Sequence, residues 1–256
     1  QQFGVKWDWD AFWKNAEMYN ESSRCMIEKW DVNCTEHPQV CGAALALQRE
    51  YEFMAAACMD KFMLKTDRRV TKMMLKGYEQ DKAANAPQPK YRCLVWACPA
   101  HYYTNFTYWT QHCWGVTCVN DMEAMLSYQP ITIGDKEQAL ADLVRCYEKM
   151  MMRSHTNGGY VNLLDECWKM CEKFHTNSVI MYDHVSCKNV GGLHGLFEDQ
   201  ARERGIHLIW IPHDVMDPRT VSRREMREAF SQYMVTVLNE KPLDPTLLDY
   251  EDTLSW

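Results

Sequence analysis

The 256-residue chain lacks most of the patterns that assign a function directly. No stretch approaches the ~18 uninterrupted apolar residues of a membrane span. No charged-then-apolar leader opens it. Neither a membrane role nor secretion is therefore expected. Basic excess is also missing: net charge is −7 and the pI about 5.7. Without a positive field, no nucleic-acid partner is implied. Gly191-Gly-Leu-His-Gly195 has neither the spacing of a dinucleotide fingerprint nor the Lys-Ser/Thr ending of a P-loop. A G-x-S-x-G elbow is absent too, which argues against a hydrolase. Cys93/Cys98 and Cys113/Cys118 lack the two-residue gap of zinc ribbons. The chain opens on Gln1-Gln2 rather than Met, so a processed or incomplete chain is expected.

Cysteine, by contrast, is plentiful. Twelve are present, below the ~8–10% density of disulfide scaffolds. In a chain this large they read as thiols in a reducing, cytoplasmic compartment. Seventeen Met and ten Trp read as soft, polarizable core filling. Residues 1–86 look helical. Asp10 is a candidate cap for a first helix with Phe12, Ala16 and Tyr19 on one face. A break falls at His37-Pro38, a long helical stretch runs from Val40 to Leu64, and Thr66–Tyr78 forms a shorter helix ending near Gly77. Cys25, Cys34, Cys41 and Cys58 in this part match no tight metal spacing.

The polar, proline-bearing stretch Lys82–Lys90 is the best boundary. Beyond it, strands and helices alternate over 87–240, and 241–256 is an extended tail expected to wrap a partner or fray. Strands are expected at 92–97, 115–119, 178–182 and 207–211. Between and after them come helices at 104–112, 135–152, 161–174, from Leu193 and at 222–238, with a turn at Asn157-Gly158-Gly159. Leu140, Val144 and Tyr147 give the 135–152 helix its expected inner face. The order argues for an α/β fold: an open, mostly parallel, four-stranded doubly wound sheet preceded by a helical segment.

Cys187 follows the 178–182 strand and precedes a Gly-rich turn and a helix. Open α/β sheets hold ligands at that place, and a helix N-terminus favours a thiolate. Cys98 and Cys118 are also expected at strand carboxyl ends. The three could then share one rim, and thiolate sulfur is what iron–sulfur clusters require. Cys167 and Cys171, one helical turn apart, read as core. Asp214, Asp217 and Arg219 read as an ion-paired loop on the same rim.

The series His184-Val-Ser-Cys-Lys188, the Gly-rich turn, Gly205-Ile206, a strand, Asp214-Val-Met-Asp-Pro-Arg219, Ser222 and a final helix resembles one known family. It is similar to the carboxyl-terminal half of iron–sulfur subunits in the 2-hydroxyacyl-CoA dehydratase and benzoyl-CoA reductase superfamily. The match is specific over about 178–239, looser back to about residue 90, and rests on element order before that. The resemblance implies a [4Fe-4S] cluster with Cys187 as one ligand, flanked by Lys188 and Asn189. Cys98 and Cys118 are the further candidate ligands in this chain, although the family's other two normally come from an amino-terminal domain. The resemblance also implies an acyl-CoA site near the first strand-to-helix loop, with His101, Tyr102 and His184 lining it. Its expected partners are a homologous sister subunit and an ATP-dependent electron-donating activator. Its expected chemistry is oxygen-sensitive, one-electron reduction of a CoA thioester leading to dehydration or to ring reduction. A cluster-free structural subunit supporting a catalytic sister chain is the alternative.

Overall fold

A computed structural model describes residues 4, 6–54, 60–124, 129–148 and 151–249. Cys58 lies outside them. Three helices come first: α1 (Trp9–Cys34), α2 (Gly42–Met54) and α3 (Lys61–Ala83). The cap of α1 is Asp8 rather than the expected Asp10. Its carboxylate accepts from the Asp10 and Ala11 backbone N–H groups, satisfying donors that an open helix end leaves free. Asp60 caps α3 in the same way. This helix runs past Gly77, where a stop was expected. Gly77 instead admits Gln39, whose Oε1 would lie 2.0 Å from a Cβ placed there.

The α/β part follows: β1 (Tyr91–Trp96), α4 (Phe106–Trp114), β2 (Val116–Asp121), α5 (Lys136–Glu148), α6 (Met151–Lys173), β3 (Ser178–His184), α7 (Lys188–Gly191), α8 (His194–Arg204), β4 (His207–His213) and α9 (Arg223–Thr236). The expected turn around residues 157–159 appears as a break within α6, where Gly159 takes φ 70°. The sheet is four-stranded and all parallel, in the order β2-β1-β3-β4. Both of its faces are covered. Phe106 and Trp109 of α4 meet Phe230 of α9 on one side, while Trp168 of α6 meets Phe197 of α8 on the other. Burial on both faces explains the nearly unbroken apolar runs of β1 and β3. The helical segment packs onto the β2 edge. Met26, Trp30, Leu45 and Met74 enclose Val119 and Phe174. Helix α2 lies so close that a Cβ on Gly42 would sit 2.4 Å from Asn120 Cα.

Helix α5 turns the opposite way from the expectation. Leu140, Val144 and Tyr147 are exposed, and Ala139, Asp142 and Cys146 are buried. Asp142 decides this, because its carboxylate accepts from Thr132 N and Oγ1 and from Gln138, anchoring the preceding loop. The tail folds back over 241–249. Leu243 N donates to Cys113 O, and Trp109 Nε1 donates to Leu247 O.

Candidate active site

Sheet order reverses between β1 and β3, so the chain leaves these strands toward opposite faces. This is the switch point at which open α/β sheets bind ligands. Two roomier concavities, about 410 and 600 Å³, lie at the amino-terminal edge, by Tyr91 and Gly115 and by Thr176 and Ile206. The carboxyl edge carries the chemistry.

The loop after β1 is tightly held. Ala97 takes φ 67°, a left-handed conformation costing a residue with a Cβ about 1–2 kcal/mol. Three anchors then fix the loop. His101 N donates to Val215 O at 3.0 Å, Tyr102 OH donates to Val221 O at 2.5 Å, and Arg223 Nη2 donates to Tyr102 O at 2.6 Å. Arg227 adds a bond from Nη1 to Tyr103 OH. Beneath the loop is a narrow cleft of about 20 Å³, room for about one water molecule. Among its walls are His101, Tyr103, Asp121, Glu123 and Tyr182, with Ala46 and Leu47 of α2.

The acids of this cleft were not singled out from sequence. Asp121 ends β2 and is buried; its Oδ1 accepts from Glu123 N at 2.9 Å. Burial, reinforced by Cys41 and Glu50, pushes its carboxyl up to about 8. Glu123 shares a hydrogen bond with Glu50 and contacts Cys98. Burial first, then Glu50 and Asp121, push it up to about 9. At neutral pH both carboxyls hold protons. Burial also raises the Cys98 thiol, as does Glu123, and Cys98 Sγ lies 3.8 Å from His101 Nε2. His213, at the end of β4, is buried between Tyr182 and His184, at ring distances of 5.0 and 5.5 Å. Neither of its ring nitrogens has an aligned partner, and burial pushes it down to about 4. The one sequence signal for this group was the pair of acids at the end of β2, Asp121 and Glu123; their burial is a property of the fold alone.

Of the residues expected at the site, His101 lines the cleft. Tyr102 does not, because its hydroxyl is committed to Val221. His184 is half-buried, with Nδ1 3.4 Å from His213 O. Cys187 is half-buried on the rim, where its N donates to His184 O. The helix it caps is α7, a single turn within the Gly-rich stretch, and the helix expected from Leu193 follows as α8. Lys188 and Asn189 are exposed in that turn. The largest departure is Cys118. It is the third of six residues in β2, pairs in register with Cys93, and is buried below the rim. Among the described residues no three His, Cys, Asp or Glu side chains gather as a metal would need. The described residues therefore do not by themselves assemble a three-thiolate [4Fe-4S] site. Asp214 accepts from the Met216 and Asp217 N–H groups, and Asp217 pairs with Arg219, so these residues order their loop.

A family model described as 2-hydroxyglutaryl-CoA dehydratase, D-component, matches residues 1–234. The chain belongs to that family. Membership bears out the resemblance read from the 178–239 motifs and carries it through the helical segment, where only element order had been visible. The chain is thus a 2-hydroxyacyl-CoA dehydratase-type subunit, a component of a multisubunit enzyme. No curated protein matches it. No described helix is long and apolar enough to cross a membrane.

Proposed function

We propose that this dehydratase-type subunit presents the acyl end of a 2-hydroxyacyl-CoA thioester to the cleft between β1 and β3, where Glu123 and Asp121 serve as proton carriers. The observation that carries this is a pair of carboxyls that burial keeps protonated at the end of β2, facing the loop that leaves β1 beside the switch point. Dehydration requires a proton for the departing hydroxyl and removal of a proton from the neighbouring carbon. Glu123 supplies the first as the C–O bond breaks, and water leaves. Its carboxylate then accepts a proton to return to its resting state. The pinned loop over the cleft limits water entry. The family's description favours dehydration over ring reduction.

Cys187 is the thiol we assign to an iron–sulfur centre, because it is half-buried on the rim and needs no rearrangement to reach a neighbouring chain. The remaining ligands then come from protein other than the described residues. A homologous sister subunit and an ATP-dependent electron-donating activator complete the proposed enzyme. The test uses the native complex, with iron, sulfide and turnover measured for wild type, Cys187→Ala and Glu123→Gln. Cys187→Ala is expected to lower bound iron. Glu123→Gln is expected to keep iron and lose turnover. Unchanged iron in the first would return Cys187 to a structural role and favour a cluster-free subunit. Unchanged turnover in the second would end the proton-carrier assignment.

A further inference from the structure

A second group of reactive side chains lies away from this cleft, where α2 meets β2. Cys41 immediately precedes α2, and its carbonyl accepts from the Ala44 and Leu45 N–H groups. Its thiol is in hydrogen-bonding contact with the Cys118 thiol and 3.3 Å from Thr107 Oγ1. Gly42 lets the helix start press against Asn120, which brings the two sulfurs together. Cys118 is enclosed, whereas Cys41 forms part of the wall of an open surface hollow with Pro38, Tyr108, Gln111 and His112. Cys41 is itself buried, but the hollow it lines gives a small solute a route toward it that Cys118 lacks.

We propose that Cys41 and Cys118 form a peroxide-reactive dithiol, with Cys41 attacking and Cys118 resolving. The Cys41 thiolate attacks the distal oxygen of a hydroperoxide. The O–O bond breaks, an alcohol or water leaves after taking a proton, and Cys41 becomes a sulfenic acid. The Cys118 sulfur then displaces that hydroxyl as water and the disulfide closes. Two thiols lose two electrons and two protons in all, and the peroxide takes them up. Closing the bond brings the two sulfurs to the ~2.05 Å of a disulfide.

Local structure favours Cys41 as the attacking sulfur. The neighbouring Cys118 thiol first, then Thr107, to whose Oγ1 the Cys41 thiol donates at 3.3 Å, and the backbone at the start of α2 outweigh burial and lower it to about 6. Cys34 provides an internal control. It is the last residue of α1, where the helix end opposes a thiolate, and burial pushes it up to about 11. The product would tie α2, which carries Glu50 and two walls of the acid cleft, to β2.

Both thiols fall in one chymotryptic stretch, Asp31 to Leu45, and Cys118 falls in another. The experiment treats the reduced full chain with hydrogen peroxide, blocks remaining thiols with N-ethylmaleimide and maps the digest by mass spectrometry. Cys41 is expected to react about tenfold or more faster than Cys34, giving a peptide linked through Cys41 and Cys118 and two mass units lighter than its parts. In Cys118→Ala, a dimedone adduct at Cys41 is expected instead. Equal rates for Cys41 and Cys34, or oxidation of Cys41 to sulfinate in wild type without a linked peptide, would overturn the proposal. The wild-type rates and linkage decide the matter even if the variant does not fold.

Discussion

Two of the groups of buried acids among the described residues are built on opposite principles. In the helical layer, Asp67 is fully enclosed but completely partnered. Lys29 Nζ lies 2.5 Å from its Oδ1, Gln48 Nε2 donates to the same oxygen at 2.7 Å, and Ser22 Oγ donates to Oδ2 at 2.7 Å. Around the cleft, Asp121 and Glu123 meet Glu50, Cys98 and each other. One group neutralises a charge with a countercharge. The other keeps its acids neutral by leaving them protonated. The first arrangement locks α1 to α3. The second holds protons ready for use, at a place where the chain bends into a left-handed residue and two loops part.

The largest effect is expected where a partner is removed from the satisfied group. Lys29→Met leaves Asp67 charged and enclosed, and should cost about 3–5 kcal/mol, read as a lower urea midpoint. Adding Asp67→Leu should restore most of the loss, since it removes the stranded charge. If Lys29→Met alone left the midpoint in place, the ion pair would not be holding these helices.

The opposite pattern is expected at the cleft. Glu123→Gln keeps size and polarity but removes the exchangeable proton, so turnover should fall about 10²–10⁴-fold. Stability at alkaline pH should be kept or improved, because no charge remains to be desolvated. Equal losses of stability and turnover would put Glu123 in the same class as Asp67.

The pH dependence sharpens the contrast. Both carboxyls titrate higher in the folded chain than in the unfolded one, Asp121 near 8 and Glu123 near 9. The stability they contribute is therefore complete below the ordinary carboxylate range. It is lost as pH rises through about 8 to 9, where the folded state binds more protons than the unfolded. Unfolding free energies from urea titrations should decline from pH 6.5 to 9 in wild type. The same curve should flatten in Asp121→Asn/Glu123→Gln. Identical slopes would mean that the acids are ionised and solvated in the fold.

Much of this architecture was legible from periodicity and turn chemistry. The four strands, their parallel order and the helical layer follow from apolar runs alternating with helical spacing, and the Gly159 break marks its own position. What escaped were cases in which polar contacts outvoted apolar pattern. The faces of α5 were exchanged because Asp142, a charged residue, is the one the fold buries. Cys98 and Cys187 were correctly placed on the rim. Cys118 was not, because β2 extends to Asp121 and a register shift after Cys93 separates that cysteine further from the strand's end. The acid cleft was hidden for a different reason. Glu50 comes from α2 and meets Glu123 only after α2 has packed on β2, a contact between residues that no local pattern links.

The smallest effect is expected at His213, which extends the comparison to a base. It too is buried, and burial together with His184 holds its folded pKa near 4, below the ordinary histidine value. The unfolded chain thus binds the extra proton first as pH falls, and the stability that neutral His213 contributes is lost between about 6.5 and 4. Replacing it with Asn, which cannot acquire charge in that range, should flatten the acid limb between those values. The alkaline decline set by Asp121 and Glu123 should stay in place. An unchanged acid limb would show that the ring is solvated or paired when protonated. The cleft's one-sided logic, with groups held in their neutral forms by burial, would then apply to its acids and not to its histidine.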